Sequence, residues 1–196
     1  MKTSELAVVR PGDRRIPRAL RGLPVLDGTS DGLTDHRRLV VVGSHRDLSA
    51  VLTRLLRADR LDIEVAHVQR PWQARQACGG TATRVPLVRD ETGTVIAGAA
   101  YWLPPAGQRT IRGEAIVDDE HLFDGEATGV RIEPIATMPG LRAAVLSGPM
   151  RPKRWISGRA AQLGTTGALV VRDGDTASRP VRRSTFYRHT EGWLRV

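Results

Sequence analysis

Three short groups of residues in this 196-residue chain carry side chains whose types and spacing could do chemistry. The first is Gly43-Ser44-His45-Arg46-Asp47, set between an apolar run and a helical pattern. Backbone N–H groups at such a turn, with Arg46 beside them, could bind a phosphate; the alternative is an ordinary capped turn. The second is Asp118, Asp119, Glu120 and Asp124, whose hard carboxylate oxygens could hold Mg²⁺ if a hairpin folds them together; otherwise they form a solvated hairpin tip. The third is Arg172-Asp173-Gly174-Asp175 at the end of an apolar run. Asp173 and Asp175 could supply a general base and an orienting or metal-binding group, yet Asp-Gly is also a common hairpin signal.

Each group depends on the elements around it. Leu39 to Val42 is a continuous apolar run, as in a strand covered on both faces, and Leu48, Val51, Leu52, Leu55 and Leu56 follow helical spacing. Ser44 followed three residues later by Asp47 resembles a capping box, so the helix starts near Ser44. The alternation of Leu61, Ile63 and Val65 against Asp62, Glu64 and Ala66 predicts a second strand, and a right-handed crossover makes it a parallel neighbour of the first. Pro71 to Thr83 reads as a loop or a short helix ending at Gly79-Gly80.

From Arg84 onward short β-prone segments recur between turn residues, and no convincing amphipathic helix follows residue 70. The expected architecture is therefore α/β plus all-β. A basic, irregular arm rich in Pro, Gly and Arg spans 1–36, a β-α-β unit spans 37–83, and a β-sandwich-like, β-rich domain spans 84–196.

Composition narrows the class. Hydrophobic residues make up 40% and charged residues 26%, as in a globular protein, and no run approaches the roughly 18 apolar residues a membrane span requires. With no apolar leader in Met1 to Arg38 and a single Cys78, a cytoplasmic location is expected. The formal net charge is +9, carried by arginine, since Lys2 and Lys153 are the only lysines. Guanidinium forks suit phosphate-bearing partners such as nucleotides, nucleic acid or an anionic membrane surface; a GC-rich genome would give the same bias without any partner. A basic C-terminal face, with Arg182, Arg183, Arg188 and Arg195 near Phe186, Tyr187, His189 and Trp193, makes a basic interaction module that binds nucleic acid or an anionic protein, without enzymatic activity, the alternative reading, although Phe186 and Trp193 also suit a core. P-loop, G-x-S-x-G and H-E-x-x-H motifs are absent, and the five histidines lack metal-ligand spacing.

In their order along residues 39–196, the three groups resemble a shortened, degenerate member of the diacylglycerol kinase and lipid kinase family, which shares its two-domain fold with NAD kinases. Val42 to Leu48 stands where that family has a Gly-Gly-Asp-Gly-Thr turn at the nucleotide, and Val85-Pro86-Leu87-Val88-Arg89-Asp90 resembles its Pro-Leu-Gly-Thr segment. Asp118-Asp119 through Asp124-Gly125 resembles an acidic region of its β domain. Arg172 to Asp175 resembles the Val-Asp-Gly-Glu that carries the proposed base, and Gly192 to Val196 resembles its usual ending. The second glycine, central acid and Thr of the first motif are absent, as are the Gly and Thr of the second, and the family's first strand with its Asn-Pro turn has no clear counterpart in the arm. The resemblance implies a lipid-kinase-like protein, catalytic or not, binding a phosphate-bearing or lipid ligand between its halves. In an active protein it implies ATP and Mg²⁺ as cofactors, Asp173 as the base, and Asp118, Asp119 or Asp124 near the metal.

Overall fold

A computed structural model describes residues 5–28, 31–147 and 150–196. The chain divides into two units, residues 1–85 with 191–196, and residues 86–190.

Unit 1 is built on a mostly parallel sheet. Its elements are β1 (Leu6–Val9), β2 (Val25–Leu26), β3 (Arg38–Val42), α1 (His45–Arg57), β4 (Glu64–Val68), α2 (Ala74–Gly79) and β5 (Thr83–Val85). All five residues of β3 are buried, because alternate side chains pack on opposite faces of the sheet. Val40 and Val42 join Val8, Ala66 and Val68 against Ala74 and Ala77 of α2 and Leu20 of a 3-10 turn. On α1, Leu48, Val51, Leu52 and Leu55 are buried on one stripe, as their spacing requires. β3 and β4 pair in parallel with Arg38 opposite Glu64. The second strand begins later than its alternation suggested: Leu61 and Ile63 are buried in the turn leading to it, where the Ile63 N–H donates to the Arg60 carbonyl.

The arm is not irregular throughout. Leu6–Val9 forms β1, which pairs in parallel with both β2 and β3. Burial between two neighbours outweighs the Pro and Gly around this four-residue segment, which had masked its apolar run. Residues 1–4 and 29–30 of the arm lie outside the described residues.

Unit 2 is antiparallel throughout. Its strands are β6 (Val88–Asp90), β7 (Val95–Ile96), β8 (Ala100–Leu103), β9 (Ile111–Val117), β10 (Glu120–Ala127), β11 (Val130–Pro134), β12 (Leu141–Ser147), β13 (Arg151–Pro152), β14 (Ile156–Gly158), β15 (Ala160–Arg172), β16 (Asp175–Thr176) and β17 (Val181–Arg188). The long β15 is the hinge of the sheet: its first half pairs with β9 and β17 and its second half with β8 and β16. The strands curl around one core that includes Trp102, Ile111, Ile132, Leu141, Leu163 and Phe186.

The last strand, β18 (Trp193–Arg195), belongs to unit 1 and not to the β-rich domain in which its sequence position had placed it. It pairs in parallel with β4 and antiparallel with β5, completing the order β2-β1-β3-β4-β18-β5. The unpaired edge of β4 is what recruits it.

Candidate functional site

In unit 1 the chain leaves β1 for β2 on one side, while β3 lies on the other side of β1. This reversal puts a topological switch point beyond the carboxyl ends of β1 and β3, the place where open α/β sheets bind ligands. Two turns meet this edge: Arg10-Pro11-Gly12-Asp13-Arg14 after β1 and Gly43-Ser44 after β3. The first was missed with β1; its signal was four apolar residues running directly into Arg-Pro-Gly.

The capping box expected at Ser44 is present. Asp47 Oδ2 accepts hydrogen bonds from the Ser44 N–H at 2.7 Å and the Ser44 hydroxyl at 2.8 Å, and the Asp47 N–H donates to Ser44 Oγ at 3.4 Å. The Asp47 carboxylate is thus an internal anion on the helix N-terminus. An Arg14 guanidinium nitrogen stands 3.8 Å from it, and Arg10 Nη1 donates to the Arg14 carbonyl at 3.1 Å. Among the described residues, the buried Nε of Arg10 has no hydrogen-bond partner. Gly43 is required for space, since a Cβ there would lie 2.4 Å from Asp47 Oδ2. Arg46, within the first turn of α1, is exposed.

His67 closes the neighbouring side of this turn. Its Nε2 lies 3.0 Å from the Gly43 carbonyl, which accepts from the Nε2–H tautomer, and its ring is 5.3 Å from that of His45. Burial, more than any other influence, holds the His67 pKa below its ordinary 6.5, with the His45 charge adding to the effect. The unfolded chain therefore takes up the proton first as pH falls. Stability from neutral His67 is complete above about 6.5 and is lost as pH drops through the lowered value. His67→Gln is expected to flatten the melting-temperature profile below about pH 6.5 relative to the parent; parallel profiles would remove His67 as the cause.

The remaining predicted residues lie in unit 2. Asp173 occupies the left-handed region at φ 48°, followed by Gly174 at φ 90°, in the hairpin turn from β15 to β16. Its carboxylate accepts three backbone N–H bonds, from Ala97 at 2.8 Å, Gly98 at 2.7 Å and Ala99 at 2.9 Å, which fix the bend between β7 and β8. Asp175 is exposed and pairs across the ladder with Arg172.

Asp118, at φ 50°, starts a two-residue turn between β9 and β10. Its carboxylate accepts from the N–H groups of Arg159 and Ala160 at 2.9–3.0 Å. The hairpin tip is only Asp118-Asp119, because Glu120 onward is strand. Asp124 lies opposite Glu114, roughly 13 Å along the ladder from that tip at the usual strand rise. Among the described residues no three His, Cys, Asp or Glu side chains converge as a metal site would require. Asp118-Asp119 and Asp124 are therefore not gathered into one cluster, and the α1 N-terminus holds the Asp47 carboxylate.

The basic face separates in a similar way. Phe186 and Trp193 are buried, as a core reading requires. Tyr187 is faced by the Arg89 guanidinium at 4.7 Å, Tyr101 by Arg131 at 5.7 Å and Trp155 by Arg142 at 4.3 Å, so these rings already serve the chain's own cations.

No protein-family model matches the sequence, and no curated protein sequence matches it. Solved structures do. A diacylglycerol kinase structure from Bacillus anthracis str. Sterne aligns with a TM-score of 0.71 at 10% identity, covering 100% of this chain and 98% of that one. An NAD kinase from Archaeoglobus fulgidus in complex with ATP aligns with a TM-score of 0.66 at 15% identity, covering 97% of this chain and 92% of that one. The chain has the fold of the diacylglycerol and NAD kinases. In this kinase-like fold, among the described residues, no helix is long and apolar enough to cross a membrane.

Proposed function

We propose that this kinase-fold chain binds a phosphate-bearing ligand at the switch-point edge of unit 1, on the arginines that follow β1, and does not transfer phosphate to a lipid. The observation that carries the binding reading is the position of Asp47. A helix N-terminus and a guanidinium that converge on one carboxylate make a place that stabilises negative charge. Asp47 supplies that charge from within the chain, and a phosphate group competes with it for Arg14 and the Ser44 N–H. The engagement of the Asp173 and Asp118 carboxylates with backbone N–H groups supports the non-catalytic part, since both serve as turn locks.

Removing the internal anion tests the reading. Asp47→Ala is expected to cost about 1 kcal/mol as a lost cap and to tighten binding of ADP or pyrophosphate by about three- to tenfold, while Arg14→Glu weakens it. Calorimetric titration measures both. If neither the parent nor Asp47→Ala binds any phosphate compound, the proposal fails. A turnover assay with ATP, Mg²⁺ and diacylglycerol is expected to show no product, and turnover abolished by Asp173→Asn would overturn the non-catalytic part.

A further inference from the structure

Unit 2 contains a cavity of about 320 Å³ that plays no part in the site of unit 1. It lies between the β10 hairpin and the segment joining β12 to β14, lined by Leu122, Phe123, Val145 and Ile156, with Lys153, Arg154, His121 and Glu126 around them. We propose that this cavity binds a small aromatic carboxylate.

The apolar floor comes from an irregularity in the sheet. The register between β10 and β9 shifts at Leu122, with His121 opposite Ile116 and Phe123 opposite Ala115. Such a bulge breaks the alternation of the strand and re-aims side chains. Leu122 and Phe123, consecutive in sequence, are both half-buried against the core and both line the cavity. Phe123 presents an aromatic surface to a ligand ring, and Val145 and Ile156 supply aliphatic walls.

The charge on the rim selects an anion. Arg154 is paired with Glu120 at 2.7 Å, and His121 Nδ1 lies 3.3 Å from Glu114. Lys153, the only lysine among the described residues of a chain that otherwise uses arginine, makes no ion pair with any of them. Its backbone N–H is fixed to the Val145 carbonyl at 2.9 Å, which holds the residue at the cavity mouth. The Glu126 carboxylate on the same rim accepts from the Thr110 hydroxyl at 3.3 Å, and the Lys153 ammonium, outside any ion pair and beside an aromatic and aliphatic floor, matches a carboxylate carried on a compact ring. The volume is at the lower end of the roughly 300–1,000 Å³ of small-molecule sites, enough for one ring system and too small for a pair of long acyl chains.

The experiment titrates the full chain with benzoate and phenylacetate, following chemical shifts or heat, beside acetate, which has the charge without the ring, and benzyl alcohol, which has the ring without the charge. Saturable binding of the aromatic acids with a Kd on the order of 0.1–1 mM is expected, with both controls weaker. Lys153→Gln, an exposed position, is expected to keep the parent melting temperature and to weaken binding about five- to tenfold. Aromatic acid is also expected to slow modification of the Lys153 amine by trinitrobenzenesulfonate, read by peptide mapping. No saturable binding, equal binding of benzyl alcohol, or an unchanged Kd in Lys153→Gln would each overturn the proposal. None of these outcomes bears on phosphate binding in unit 1.

Discussion

Arg38→Leu is expected to destabilise unit 1 by about 3–5 kcal/mol, the cost of breaking a buried charge pair by removing one partner. Arg38 is only 5% exposed at the start of β3, yet its guanidinium makes four hydrogen bonds. Nε donates to Glu64 Oε2 at 2.6 Å, Nη1 to the carbonyls of Ala77 at 3.2 Å and Cys78 at 2.7 Å, and Nη2 to the Gly80 carbonyl at 2.9 Å. One side chain therefore joins β3 to β4 and satisfies the carbonyls at the carboxyl end of α2, which a helix cannot satisfy itself. Leucine would leave those carbonyls without donors, although Arg37, at 3.1 Å, would still pair with Glu64. Arg38→Lys should recover only part of the loss, because an ammonium cannot reproduce the fork. Denaturant unfolding, with hydrogen exchange to locate the change in unit 1, measures the effect; a loss under about 1 kcal/mol for Arg38→Leu would show that α2 does not depend on this arginine.

The second large effect belongs to unit 2. Asp90 is completely buried, and its carboxylate is shared between a turn and an ion pair. Oδ1 accepts from the Thr92 N–H at 2.8 Å, the Thr92 hydroxyl at 2.7 Å and the Thr94 N–H at 2.9 Å, while Oδ2 accepts from Arg172 Nε at 2.5 Å. Asp90→Asn keeps one oxygen for the turn but turns an NH₂ toward a guanidinium that is mostly buried, so a loss of about 3–5 kcal/mol is expected. Adding Arg172→Leu should recover a substantial part, since the unpaired charge is then gone. A double-mutant cycle reads this coupling directly, and additive losses would show that the pair does not act as a unit. Because Arg172 immediately precedes Asp173, the same pair holds one end of the turn whose next residue fixes residues 97–99.

These two residues also mark where sequence reasoning reached its limit. Arg38 and Asp90 stood in view, one beside the apolar run of β3 and the other as the first residue of an Asp-Glu-Thr-Gly turn, and neither was singled out. A buried arginine and a surface arginine have the same local sequence signature. What distinguishes Arg38 is that Glu64 and the end of α2 arrive beside it from 26 to 42 residues away. Asp90 similarly acquires its role from Arg172, 82 residues later.

What the sequence determined by itself is local: the β3–α1 junction, the capping box of Ser44 and Asp47, the buried stripe of α1, and the turns at Asp118 and Asp173. Each depends on residues within about four positions, where helical or strand periodicity and side-chain-to-backbone bonding act without the rest of the chain. Tertiary structure alone decided which edges were filled and which carboxylates remained available. The short β1 is a strand because β2 and β3 flank it, and Trp193–Arg195 joins unit 1 because β4 and β5 leave a slot between them. Glu120–Ala127 lies alongside β9, which carries Asp124 away from the Asp118-Asp119 tip. Backbone N–H groups brought in by long-range pairing hydrogen-bond the Asp173 and Asp118 carboxylates, partners that residue type and spacing along the chain do not reveal.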